Sequence, residues 1–252
     1  FKLQTTRSTF AARNLVEVAA GGALTVVELS DGKTSDNLAL LSTRLKVGRG
    51  ATLNYIASQD IPLDSQFFGQ WEIEAEEGAQ VNVTLLNFGS AYTRQEVTAF
   101  LRGRNANVRL RSLTLADGTR EIDQRTLQIH ESPSAKSDLL FKNVLDDKAR
   151  TIFSGLIQVA EGAQKTDAYQ KNRNLMLSED AQAHSLPGLE IEANDVRCTH
   201  GATCGKLSED ELFYLRARGV ETKEAQRLLI GGYCEEIIAE LPEAVASWAR
   251  QR

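Results

Sequence analysis

A pair of small residues returns along the chain at Gly22-Ala23, Gly50-Ala51, Gly78-Ala79, Asn105-Ala106, Ser134-Ala135 and Gly162-Ala163, at steps of 28, 28, 27, 29 and 28. So long and regular a period means one supersecondary unit stacked on copies of itself. Around the pairs, apolar and polar side chains alternate with period two. Leu53, Tyr55 and Ala57 follow Gly50-Ala51, and Val81, Val83 and Leu85 follow Gly78-Ala79. That alternation belongs to half-buried strands. Asn-Gly hairpin signals between adjacent strands are missing, so the unit is a coil of two short strands rather than a hairpin. The expected architecture is a parallel β-helix of about 28 residues per coil, each coil burying its inner face on the next. The recurring Gly or Asn supplies a tight or left-handed corner. A β-sandwich with chance spacing is the rival.

The pattern weakens after Gly162, and from Ser208 the period becomes helical. Ser208 with Glu211 forms a capping box, and Gly219 closes the first helix. Thr222 caps a second helix carrying Ala225, Leu228, Leu229, Tyr233, Ile237, Ile238 and Leu241, and Pro242 opens a third that ends with Trp248. The expected organisation is therefore a β-helical core over 1–205 and a small C-terminal helical domain over 206–252.

At 252 residues the chain is long enough for a sizeable core. It lacks any run of about 18 apolar residues, which argues against a membrane span. Lys and Arg number 29 against 34 Asp and Glu, a net charge of −5, so no global basic field attracts nucleic acid. Three cysteines, all between 198 and 234, make no disulfide framework and suit a reducing, cytoplasmic setting. The first residue is Phe1, with no signal-peptide succession after it, which reads as a fragment or processed chain.

Cys198-Thr199-His200, with Cys204 beyond, is the densest set of soft ligands. On an extended strand Cys198 and His200 share a face about 7 Å apart, close enough to share an ion with ligands from elsewhere. The spacing matches no structural zinc pattern, and a buried structural thiol is the alternative. Gly201 to Leu207 superficially resembles a phosphate loop, but its glycines are one residue too close and Leu207 stands where Ser or Thr must reach magnesium. A turn joining body to tail is the expectation there. His130 and His184 lie in no catalytic motif and read as structural or solvated. Arg102, Arg104, Arg109 and Arg111 read as a solvent face. Glu76-Glu77 and Asp146-Asp147 read as water-facing corners. Cys234 reads as a packed thiol beside Gly231-Gly232, which suggest a close helix contact.

Asn172-Arg173-Asn174-Leu175-Met176-Leu177-Ser178, Pro187, Ile191 to Thr203 and Asp210 to Val220 together make the chain similar to the SufB/SufD family of the SUF machinery for iron–sulfur cluster assembly. The match is close over about 165–242. Within the family, Cys198-Thr199-His200-Gly201-Ala202-Thr203 resembles the SufD branch. The resemblance implies a right-handed parallel β-helix and a C-terminal helical domain docking the SufC-type ABC ATPase, here through Leu212, Phe213, Tyr214, Arg216, Leu228 and Tyr233. It also implies a non-catalytic scaffold pairing with a SufB-type subunit, in which ATP-driven rearrangement exposes an interfacial site for iron or sulfide. Cys198 and His200 would then be ligands to iron or a nascent cluster, with no cofactor bound stably by this chain alone. The cysteine that receives sulfur in the SufB branch would fall near Arg173, and no cysteine precedes 198, so the chain alone is expected to be a poor sulfur acceptor. No dinucleotide fingerprint supports a flavin. The helical region that precedes the β-helix in the family is not seen in this sequence. The family also implies a cytoplasmic or, in a photosynthetic eukaryote, plastid location. An exposed β-helix edge permits a homodimer in isolation. The alternative from another class is a carbohydrate-active β-helix enzyme, for which no carboxylate pair can be nominated.

Overall fold

A computed structural model describes residues 2–3, 9–32 and 36–252. The described strands are β1 (Lys2–Leu3), β2 (Thr9–Val18), β3 (Ala23–Asp31), β4 (Leu38–Val47), β5 (Thr52–Asp60), β6 (Gln66–Ala75), β7 (Gln80–Asn87) and β8 (Tyr92–Leu101). They continue with β9 (Asn107–Ala116), β10 (Glu121–His130), β11 (Lys136–Leu145), β12 (Arg150–Val159), β13 (Asp167–Met176), β14 (Gln182–Ile191) and β15 (Arg197–Lys206). Odd-numbered strands form one sheet in the order β1-β3-β5-β7-β9-β11-β13-β15, and even-numbered strands form a second, β14-β12-β10-β8-β6-β4-β2. Each strand pairs in parallel with the strand two along, so the chain winds as a β-solenoid. Register steps run from 26 residues between Gln66 and Tyr92 to 32 between Arg150 and Gln182.

The corners explain the repeat. Gly50, Gly78, Asn105 and Ser134 all have positive φ, and their amides bond the carbonyls of Glu77, Arg104, Pro133 and Gln164 one coil further on. The alanine after each, Ala51, Ala79, Ala106 and Ala135, is wholly buried because only a methyl fits inside the bend. At both ends the pairs stand elsewhere than expected. The left-handed residues there are Gly21 and Lys165, followed by Gly22 and Thr166. Gly162 belongs to an enlarged turn that stretches the step from Lys136 to Asp167 to 31 residues. The strands also continue regularly to Lys206. Gly201 to Lys206 is therefore part of β15 and not a turn, because its backbone still has β13 to pair with.

Between the sheets the early coils are apolar, with Leu45, Leu53, Trp71, Ile73, Val83 and Leu101 buried. Through the same space runs a polar ladder, in which Gln59, Asn87, Thr114, Asn143 and Asn174 stack in register on β5, β7, β9, β11 and β13. Asn87 Nδ2 donates to Thr114 at 3.1 Å, and Asn143 Nδ2 to Asn174 Oδ1 at 2.8 Å. Pairing polar side chains along the axis offsets their removal from water.

Three helices follow: α1 (Glu209–Arg216), α2 (Thr222–Ile238) and α3 (Glu243–Ala249). Ser208 caps α1 by accepting from Glu211 N, while α2 is capped by Glu221 rather than Thr222, its carboxylate accepting from Lys223 and Glu224. Helix α1 ends at Ala217, two residues before Gly219. α2 and α3 lie along the outer face of the odd-strand sheet. Cys234, Ile237, Ile238, Leu241, Ala246 and Ala249 form one apolar cluster there with Ile56, Leu86, Leu113, Leu140, Val144 and Leu175. Arg111, expected on a solvent face, is instead buried under this helical cover and reaches Glu240 at 3.4 Å, while Arg109 stays partly exposed and pairs with Glu240 at 2.7 Å. Nothing lies within 4 Å of a Cβ built at Gly231 or Gly232, so the expected close contact at these glycines is not made within the described residues.

Candidate functional site

Among the described residues the solenoid's inner face is left without a covering turn at both ends of the stack, at β2 and at β14 and β15, and the soft ligands lie at the second. β14 and β15 end their sheets, each paired on one side only. In register, Cys198 follows Ala168, His200 follows Gln170, Ala202 follows Asn172 and Cys204 follows Asn174. The four β13 residues are buried inward positions, so Cys198, His200, Ala202 and Cys204 continue the interior column onto the open end. His200 and Cys204 are exposed and Cys198 is half-buried.

Cys198 packs against the edge of an apolar cluster formed by Ile157, Val159, Ala163, Ala168 and Ala193, as Leu189 and Val196 also do. Burial pushes its thiol above the ordinary range, with Asp167 adding to the effect. Such a thiol becomes a ligand when a cation draws off its proton. His200 lies two residues along the same face, about 7 Å away by strand geometry. Among the described residues no three His, Cys, Asp or Glu side chains are arranged to hold a metal ion.

The floor beneath is firm. Ser185 Oγ donates to Asn172 Oδ1 at 2.7 Å, and Asn174 Nδ2 donates to the same oxygen at 2.9 Å, to Thr203 O at 3.3 Å and to Cys204 Sγ at 3.7 Å. Cys204 is thus the last step of the polar ladder, a place that a search for ligands close together in sequence does not reveal. Its signal is the coil spacing of Asn87, Thr114, Asn143, Asn174 and Cys204.

The residues expected at the ATPase dock divide. Phe213 is 73% exposed, Tyr214 55% and Leu228 51%, an apolar patch on α1 and α2 of the kind that marks a protein contact. Arg218 stacks over Tyr214, with the cation 3.5 Å from the ring centre. Arg216 is exposed and Leu212 half-buried. Tyr233 turns the other way, its hydroxyl donating to Arg173 O at 2.8 Å beneath α2. Arg173 itself faces outward and pairs with Glu236. Of the isolated histidines, His130 is buried in the interior and His184 is exposed, while Cys234 packs under α2 with its thiol pushed up by burial to about 11. Glu76, Glu77 and Asp147 lie exposed at corners. No described helix is long and apolar enough to cross a membrane.

The family profile described as "SUF system FeS cluster assembly, SufBD core domain" matches residues 1–233. The chain is 32% identical over 242 residues to the iron–sulfur cluster assembly protein SufD of Escherichia coli, covering 92% of this chain and 54% of that protein. It is 31% identical over 202 residues to an iron–sulfur cluster assembly SufBD family protein of Synechocystis, covering 80% of this chain and 45% of that one. An iron–sulfur cluster assembly SufBD family protein of Pyropia yezoensis is 24% identical over 204 residues, or 81% of this chain and 39% of that one. The chain thus spans about half the length of the curated relatives it matches. With its stacked parallel coils, its open last rung and its SufD-like sequence, the chain belongs to the SufBD family of the SUF iron–sulfur cluster assembly system.

Proposed function

We propose that this chain is a non-catalytic scaffold subunit whose open end, β14 and β15, joins a SufB-type solenoid. The joint places Cys198 and His200 beside ligands from that partner, where a nascent cluster is held as cargo. Thiolate and neutral imidazole are both suited to iron, and a two-ligand half-site on an exposed edge is what a shared site requires of one chain. The exposed patch of Phe213, Tyr214 and Leu228 would receive a SufC-type ATPase, so that nucleotide chemistry stays on the partner and this chain supplies geometry. The observation that carries the reading is the register itself, because the inward column of the solenoid emerges at its C-terminal open end as Cys198 and His200.

The test is cluster formation on the full assembly with SufB-type and SufC-type partners, measured as iron, acid-labile sulfide and visible absorption. His200→Ala is expected to reduce cluster yield by about tenfold or more while leaving assembly intact. Cys198→Ser should reduce it severalfold. Full cluster yield from the double variant would contradict the reading.

A further inference from the structure

On the outer face of β13, directly behind the floor of the open end, a clasp of four side chains joins α2 to the last coils. Tyr233 and Glu236 stand three apart on one face of α2. The Tyr233 hydroxyl donates to the main-chain carbonyl of Arg173 at 2.8 Å. Glu236 Oε2 accepts from Lys142 Nζ at 2.6 Å and from Arg173 Nη1 at 3.1 Å, bridging β11 and β13. The Lys142 ammonium is nearly buried and lies 4.0 Å from the centre of the Tyr233 ring. A cation held that way, by a carboxylate and an aromatic face, tolerates little displacement.

Arg173 is flanked in sequence by Asn172 and Asn174, whose side chains enter the interior and carry the bonds to Ser185, Thr203 and Cys204. One strand segment therefore takes the helix on one face and the underside of the last rung on the other. We propose that Tyr233 and Glu236 are positioning residues for the candidate site: they fix the height of β13, and β13 through Asn174 fixes β15, the strand bearing Cys198 and His200. The helix that presents Leu228 to solvent is the helix that holds the clasp, so a load on the exposed patch reaches the last rung through packed side chains and not through a flexible linker. The functional importance of the clasp rests on reading the last rung as the cluster site, whereas its mechanical part does not.

Hydrogen exchange on the full chain tests the mechanical part. Tyr233→Phe removes one hydroxyl and keeps the ring under Lys142, and Glu236→Gln keeps the size and removes the charge. Each is expected to speed exchange of the β13 and β15 amides about fivefold while β4 and β6 stay unchanged. Unchanged exchange over Arg197–Lys206 in both variants, or a uniform increase along the solenoid, overturns the proposal. On the cluster-loaded assembly, Tyr233→Phe should shift the visible circular dichroism at unchanged iron content, a readout that lost stability alone would not move. An unchanged spectrum confines the clasp to folding and likewise overturns its positioning role. Because exchange is read without partners or cluster, failure of the clasp and failure of the cluster site are distinguishable.

Discussion

Gly103→Ala is expected to be the most damaging methyl that can be added to this chain. An added Cβ at Gly103 would stand 1.9 Å from Glu77 N and 2.3 Å from both Glu76 C and Glu77 Cα, all main-chain atoms of the preceding corner. No rotamer change relieves a clash with backbone, so one coil must lift off the next and the loss spreads along the stack. The cost should exceed about 3 kcal/mol, with the melting temperature falling on the order of 10 °C by calorimetry. Gly118→Ala is the control. Gly118 has a φ of +59° and nothing within 4 Å of an added Cβ, so only left-handed strain of about 1 kcal/mol applies. Equal melting temperatures for the two variants would show that corner packing is looser than these contacts describe.

The second large effect is expected in mild acid. His130 is wholly buried, its Nε2 lies 2.9 Å from Ser137 Oγ, and burial pulls its pKa down to about 4 from an ordinary 6.5. The folded state therefore prefers the neutral ring, and the unfolded chain takes up a proton first. Stability from this group is fully present above pH 6.5 and is lost as pH falls from 6.5 towards 4, to a total of about 3 kcal/mol. His130→Gln keeps a polar partner for Ser137 and cannot titrate. Unfolding free energies by denaturant titration should diverge between the two proteins across that window. Parallel pH profiles would mean that His130 is protonated without cost. Glu236, held below the usual carboxylate range first by its hydrogen bond from Lys142, adds a further loss at lower pH that both proteins share.

The solenoid was legible because a stacked coil repeats its corner, and a left-handed corner tolerates few residues. Gly50, Gly78 and Asn105 mark it openly. Lys165 does not, since a Lys at positive φ carries no compositional signal and the enlarged turn before it shifts the register. The helical tail was legible from its periodicity, but its resting place was not inferred. That signal exists in runs such as Leu85-Leu86 and Leu139-Leu140-Phe141, where neighbouring side chains are apolar on both faces of a strand. Arg111 was misplaced for the same reason, because an arginine beneath a docked helix and one facing water look alike until the cover is known. At the site, Cys198 and His200 were found as a local pair. Cys204 was found with them, but its place above Asn174 on the polar ladder and the Tyr233–Glu236 clasp were not, since those neighbours are a coil or a helix away in sequence.

The most direct measurement is the mass of the chain mixed with a SufB-type subunit, by size-exclusion chromatography with light scattering, for the unaltered chain and for Ala202→Lys. Ala202 lies on the open end between His200 and Cys204, where a long cation meets any solenoid that stacks there and leaves the described coils untouched. The expected result is a one-to-one complex for the unaltered chain and separate species for the variant, with matching melting temperatures. A complex that forms equally well with Ala202→Lys would show that the partner sits elsewhere and that the open end is not the shared site.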